Sequence, residues 1–436
     1  MATGISKTKW TRKNICNEDL IQKKSIPYLT YEDKLSKSEI LNLPYEDCVK
    51  FKQIGQQIGQ VNNHLYYGDN LPILLSFLKN QEIKGKIRLI YIDPPFATKS
   101  VFQSRSQTDA YCDLLAGSNY IEFMRRRLII LRELLAENGS IYVHLDSHMI
   151  FYIKIIMDEI FGIDNFRSLI TRKKCNPKNY TKKNYGNISD FILFYTKSDN
   201  YIWNRPYEQW TEEKAKKEYQ YFEPATGRYY KKVPIHAPGT RNGETGQMWR
   251  GISPPPGKHW QFSPKTLDEM DAKGEIFWSK NGNPRRKVYL DQSQGIPVQD
   301  IWLDYKDAHN QNIEITGYPT EKNPNLLTRI IQTSSDENDL IIDGFAGSGT
   351  TLDVAAKLNR KWIGIDQSLE SIRTIINRLK NGCEVMGDFV NNHQNKVNQS
   401  KQLSLFERNV NPEHTGLNFT LYSLKSLHSQ LLDLEI

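Results

Sequence analysis

Apolar runs of strand length alternate along this chain with stretches of helical periodicity, and that alternation points to a mainly parallel sheet covered on both faces. LYYGDN (65–70) leads into the apolar LPILLSFL, and KIRLIYI (86–92) reads as a buried strand ending on two prolines. A helix is expected over 118–136, where Ile121, Met124, Leu128, Leu131 and Leu135 recur at helical spacing until Asn138-Gly139 stops them. SIYVHLD (140–146) and FILFY (191–195) read as further strands, with HMIFYIKIIMDEIFG a helix between them. The pattern breaks from about 200 to 310, a segment rich in Gly, Pro, Trp and Tyr. It then resumes with NLLTRIIQTSS (325–335), DLIID (339–343), GTTLDVAAKLN and KWIGID (361–366). The expectation is one α/β domain interrupted by an irregular insertion. Residues 1–54 read as peripheral, with a weak helical pattern at 31–43. The polar tail after about 390 closes on LYSLKSLHSQLLDLEI, which reads as a last helix.

A length of 436 residues suits one large interrupted domain, or two. No apolar run is long enough to span a bilayer, and MATGISKTKWTRKN lacks the apolar core of a signal peptide. Cys16, Cys48, Cys112, Cys175 and Cys383 form no CxxC pair, so neither a disulfide framework nor a zinc site is expected, and no other metal. These features fit the reducing cytoplasm. A formal charge of +8 beside 23 tyrosines and 8 tryptophans suits a protein that neutralises phosphates and stacks bases.

DGFAGSGTT (343–351) falls between a strand and a helix, where glycines let a ligand approach the backbone beside a helix N-terminus. It has no Walker A lysine. Asp366 ends the next strand, where a carboxylate can accept the hydroxyls of a ribose. IDPPF (92–96) is the sharper signal. An aromatic amine is a poor nucleophile because its lone pair is delocalised into the ring. Asp93 Oδ and the Pro94 carbonyl can both accept from that NH2 and localise the lone pair. Pro94 and Pro95 hold the carbonyl in place, and Phe96 offers a face for an extruded base.

Together DPPF and FAGSGT resemble the DNA amino-methyltransferases that act on adenine N6 or cytosine N4. The tetrad precedes the glycine loop by 250 positions (93 against 343), an order similar to the circularly permuted beta group. YGDN (67–70), SDFILFY (189–195) and GYPTEK (317–322) extend the likeness, which looks closest to Type III modification subunits and solitary adenine-N6 enzymes.

The resemblance implies a Rossmann-like α/β fold that uses S-adenosylmethionine and methylates N6 of a flipped adenine in double-stranded DNA. Asp rather than Ser at position 93 leans toward adenine. It makes Asp93, Pro94, Pro95 and Phe96 the catalytic tetrad. Asp343, Phe345, Ala346, Gly347, Gly349 and Thr350 then hold the cofactor, with Asp366 on its ribose and Asp69 near its adenine. Thr320 and Lys322 are expected at its methionine end. Gly344 stands where the family usually has Pro, and Asn323 separates Lys322 from Pro324. The segments become a catalytic half (55–199), a target-recognition insertion (200–310), a cofactor half (311–390) and a tail (391–436). A nuclease subunit or a second copy of the chain are further partners the family allows. C5-cytosine chemistry is set aside, because no cysteine follows a proline. N4 of cytosine remains the alternative target, and a non-catalytic DNA-binding subunit the alternative role.

TRKKCNPKNYTKKNYG (171–186) holds six Lys or Arg and no acid, which makes Arg172, Lys173, Lys174, Lys182 and Lys183 candidates for phosphate contact. In the insertion the candidates are Arg241, Arg250, Arg285, Arg286 and Lys287. Trp249, Trp260 and Trp278 read as core residues of a small domain. QLSLF (402–406) resembles a peptide that docks on the bacterial sliding clamp, with Gln402 leading and Leu405 and Phe406 as anchors.

Overall fold

The computed structural model describes residues 27–55, 63–95, 101–103, 109–112, 117–177, 183–307, 314–315, 321–382, 384–385 and 418–432. The chain divides into two compact units, Arg205–Val298 and the remainder.

The larger unit is built on a ten-stranded sheet. Its strands are β1 (Cys48–Ile54), β2 (Asn63–Tyr67), β3 (Ile87–Ile92), β4 (Leu135–Leu145), β5 (Phe166–Lys173), β6 (Ser189–Thr196), β7 (Ile301–Trp302), β8 (Leu340–Asp343), β9 (Lys361–Asp366) and β10 (Phe419–Leu424). They lie in the order β1-β10-β2-β9-β8-β3-β4-β6-β5-β7. Neighbours from β10 through β4 are parallel, while β1 on β10 and β6 against both β4 and β5 are antiparallel. The parallel strands read as continuous apolar runs because both their faces are covered. Leu89, Ile90, Tyr91 and Ile92 are all buried in succession.

The helices are α1 (Lys37–Leu41), α2 (Asn70–Phe77), α3 (Ser118–Leu134), α4 (Ile150–Phe161), α5 (Pro324–Ser334), α6 (Thr350–Lys357) and α7 (Leu369–Asn381). From β3 the chain crosses through α3 to β4, and from β8 it crosses through α6 to β9, in opposite directions along the sheet. Right-handed crossovers then set α3 and α6 on opposite faces. Between β3 and β8 the direction of winding reverses, and in open α/β sheets ligands bind in the crevice at the carboxyl ends of such strands. Ile341 pairs Leu89 and Ile342 pairs Ile90, so segments 252 positions apart meet at that crevice.

Four features differ from expectation. α3 ends at Leu134, short of Asn138-Gly139, because Leu135 turns extended and already pairs Ile87 at the start of β4. Gly139 serves that register instead, since a Cβ there would stand 2.9 Å from the Ile87 carbonyl oxygen. The leucines of the C-terminal stretch mimic a helical stripe, yet among the described residues Phe419–Leu424 is a strand seated between β1 and β2, and Lys425–Leu431 coils into a 3-10 helix. The N-terminal region is not merely peripheral: β1 forms the sheet edge on β10, and Ile40 of the capped helix α1 is fully buried.

Arg205–Val298, finally, is more regular than its composition suggests. It holds a four-stranded antiparallel sheet of Tyr221–Glu223, Arg228–Pro234, Pro284–Tyr289 and Ile276–Trp278. A second core of Ile235, Trp249, Trp260, Leu267 and Ile276 supports it, with Trp278 stacked on Trp249. The tryptophans are core residues, as expected.

Candidate active site

The carboxyl ends of β2, β9, β8 and β3 deliver four acids to one edge of the sheet: Asp69, Asp366, Asp343 and Asp93. A cleft of about 1000 Å³, counted to its open mouth, runs along that edge. Asp69, Asp93, Pro94, Pro95, Lys322, Asp343, Phe345, Ala346, Gly347, Thr350 and Asp366 line it, which gathers most of the residues expected from sequence. Phe96 and Thr320 lie outside the described residues.

The glycine loop is tied down by its own backbone. Asp343 Oδ1 accepts the Phe345 N–H at 3.0 Å, and Ala346 N–H donates to the Ile365 carbonyl at 3.0 Å. Gly347 N–H donates to Asp366 Oδ2 at 2.8 Å, while Asp366 Oδ1 accepts from Ser368 N–H at 2.9 Å. Asp366 therefore stitches the loop to the end of β9 before it meets any ligand. Gly349 does not line the cleft. It adopts a φ of +74°, and a Cβ there would stand 2.8 Å from Ile375, so its part is to make the turn into α6. Gly344 is less constrained, as a Cβ would meet nothing closer than 3.9 Å.

Burial pushes the Asp343 carboxyl up to about 7, helped by the charges of Asp93 and Asp366 and opposed by the Thr351 hydroxyl and the Phe345 N–H. Burial also raises Asp366, against the N–H groups of Ser368 and Gly347. On the β2 side, Asp69 caps α2 through the Leu71 N–H and pairs Arg127 at 2.7 Å. Arg127, lowered to about 10 by burial, lies 3.5 Å over the Phe123 ring and also bonds Asn70. Asn70 in turn donates to the Gly344 carbonyl at 2.6 Å. Arg127, Asn70 and Phe123 escaped the sequence reading. Asn70 closes the YGDN stretch, and the signal for Arg127 is three consecutive arginines inside the apolar stripe of α3.

Lys322 lines the cleft, and its Nζ is 2.7 Å from Asp93 Oδ2. Asp93 Oδ1 is buried and has no hydrogen-bond partner. A buried acceptor left unmet costs about 1–3 kcal/mol, so this atom is set for a donor that arrives with a ligand.

A family model described as DNA methylase matches residues 87–377, well over half of the chain. This chain belongs to the N6/N4 DNA methylase family. Type II methyltransferase M.EcaI of Enterobacter cloacae is 46% identical over 402 residues, covering 90% of this chain and 86% of its own. The StyLTI Mod subunit, a Type III restriction-modification enzyme of Salmonella typhimurium, is 26% identical over 349 residues, covering 69% of this chain and 51% of its own. Among solved structures, the M1.HpyAVI–SAM complex shares 17% identity at a TM-score of 0.41, over 73% of this chain and 98% of its own. The methylase uses S-adenosylmethionine. The residues present fit it: a glycine loop that lines the cleft, a strand-end carboxylate, and aromatic faces at Phe123 and Phe345.

The basic candidates divide sharply. Arg172 cannot be a phosphate ligand, because it is wholly buried between Asp190 and Asp307. Lys173 and Lys174 are half-buried, Lys183 and Tyr185 are exposed, and Lys182 lies outside the described residues. In the smaller unit Arg250 is held by Asp268 and Asp271, and Lys287 by Glu223. Arg286 lies against the Phe262 ring. Arg241 and Arg285 are exposed. Lys232, which the sequence reading passed over, sits 3.6 Å over Tyr221 and 3.4 Å over Phe277. Gln402, Leu405 and Phe406 are outside the described residues. Among the described residues no helix is long and apolar enough to cross a membrane.

Proposed function

We propose that this methylase transfers a methyl group to N6 of an adenine turned out of double-stranded DNA. The observation that carries the reading is Asp93, with Oδ2 held by Lys322 and Oδ1 buried and unmet beside Pro94. Oδ1 and the Pro94 carbonyl accept the two hydrogens of the target amine and draw its lone pair out of the ring. Oδ1 is also the acceptor nearest the proton that the amine sheds once its nitrogen has gained a carbon. S-adenosylmethionine, when bound, supplies that carbon as an electrophilic methyl group. In this reading Asp366 and Asp69 hold the nucleoside end, and the turn from Asp343 to Thr350 holds the rest. Adenine rather than cytosine rests on Asp at position 93, where a Ser would lean the other way.

The unit Arg205–Val298 is proposed to read the target sequence, with Arg241, Arg285 and Lys232 as its cations. Lys173, Lys174 and Lys183 serve the DNA backbone. M.EcaI is named a Type II methyltransferase and StyLTI Mod belongs to a restriction-modification enzyme, which supports a place for this chain in such a system. Mass spectrometry of nucleosides from DNA of a host expressing the chain tests the reading. N6-methyladenine is expected. N4-methylcytosine alone would move the target to the other amine. No modified base from a protein that still binds cofactor would mark a vestigial pocket.

A further inference from the structure

Arg172 opens the basic run, yet it faces the protein and two arms leave its guanidinium. On one side Nε and Nη2 grip the two oxygens of Asp190 at 2.8 and 2.6 Å. Asp190 lies 2.9 Å from His144 Nε2, out of line with the ring N–H, and His144 Nδ1 meets the Tyr91 hydroxyl at 2.8 Å. Tyr91 walls the cleft two residues before Asp93.

On the other side Nη2 bonds Asp307 at 2.6 Å and Nη1 reaches the Tyr305 carbonyl at 3.3 Å. That segment is stitched to the chain leaving β5. Asp307 N–H donates to the Lys174 carbonyl, and Lys306 Nζ to Asn176 Oδ1, both at 2.8 Å. Asn323 then takes hold of it. Its Nδ2 donates to the Lys306 carbonyl at 3.2 Å, while its Oδ1 caps α5 through the Asn325 N–H at 3.0 Å. Asn323 is buried and directly follows Lys322, whose ammonium holds Asp93.

A buried arginine between two carboxylates adds little net stability over apolar packing, but it fixes geometry, because leaving either charge unpaired is expensive. Groups that aim a reacting side chain need such support, since a misplacement of about 1 Å can cost a hundredfold in rate. The residue that interrupts the usual Lys-Pro sequence thus stands where the strap carrying Lys322 meets the segment anchored by Arg172.

We propose that Asn323 is a positioning residue for the catalytic acid: with Arg172 as anchor, it sets Lys322 so that Asp93 presents Oδ1 to the target amine. The inference rests on the reading of Asp93 as the amine's acceptor. Replacing Arg172 would strand Asp190 and Asp307 and unfold the region, so Asn323→Ser is the variant of choice. Its hydroxyl keeps the helix cap and cannot replace the amide donated to Lys306. Asn323→Asp keeps size and cap but turns a charged acceptor toward that carbonyl.

Both full-length variants are compared with wild type and Asp93→Ala on unmethylated bacterial DNA with radiolabelled S-adenosylmethionine. The expected result is kcat about tenfold lower for Asn323→Ser and at least as low for Asn323→Asp. KM for DNA and for cofactor should stay within about twofold, and melting temperatures should fall only by what the unmet Lys306 carbonyl costs. Wild-type kcat in Asn323→Ser overturns the positioning role. So does a loss matched by cofactor affinity or melting temperature, which marks a structural part only. If Asp93→Ala stays active, the amine-acceptor reading has failed, a result distinct from either.

Discussion

Lys322 Nζ stands 2.7 Å from Asp93 Oδ2, and the other oxygen of that carboxylate is buried without a partner. One half of the acid is therefore neutralised by a cation from the far half of the chain, and the other half is left as an acceptor. Asp93→Ala should lower turnover roughly a hundredfold or more while cofactor affinity stays within a few-fold, since Asp366 and the glycine loop are untouched. Near-normal turnover by filter-bound methyl incorporation would rule out the assignment.

Asp366 is expected to show a double phenotype. Its oxygens accept Gly347 and Ser368 N–H groups, so Asp366→Ala leaves two backbone donors unmet and should cost about 1–3 kcal/mol of stability. Cofactor affinity by calorimetry should fall further than the melting temperature explains, with turnover partly restored at high S-adenosylmethionine. Unchanged affinity would leave Asp366 a loop fastener only.

Asp343 makes stability depend on pH in an unusual direction. Its folded value of about 7 lies above the ordinary 3.8, so the native state keeps a proton that the unfolded chain has released. The carboxyl then costs nothing below about pH 4, and as pH rises from there toward 7 its ionisation in the unfolded chain alone erodes stability, by a few kcal/mol at most. Asp343→Asn, which cannot ionise, should melt higher than wild type at pH 8, and the gap should close toward pH 5. A gap independent of pH would show an ordinary carboxylate.

The cations should separate by partner. Replacing Lys173, Lys174 and Lys183 with Gln should weaken binding to every DNA sequence and flatten the salt dependence by about one unit of slope per lost phosphate contact. Arg250→Ala should leave that slope unchanged, because its guanidinium is already committed to Asp268 and Asp271. Fluorescence anisotropy at several salt concentrations decides between them. A steeper loss for Arg250→Ala than for the lysines would reverse the assignment.

Gly344→Ala tests the loop's departure from the family's usual proline. A Cβ meets only ordinary contacts there, so the loss of backbone freedom in the unfolded chain should raise stability by about 0.4–1 kcal/mol. A fall in melting temperature would show that the turn needs glycine.

Local chemistry decided much of this protein within the sequence itself. Strands β3, β8 and β9 are legible as short apolar runs because a strand buried on both faces has no other composition available. The tetrad and the glycine turn are legible because amine activation and close backbone approach tolerate few residue types. What is local in sequence was therefore visible. The tertiary structure decided wherever partners are distant. Phe419–Leu424 carries leucines that suit a helix, and it became a strand because the edges of β1 and β2 offered ladder hydrogen bonds on both sides. Arg172 looks like its basic neighbours, and only Asp190 and Asp307, 18 and 135 positions away, turned it inward. Lys322 reached Asp93 because β8 lies beside β3, although 229 positions separate the two residues. Charge and hydropathy belong to each residue alone, but burial and pairing belong to the fold.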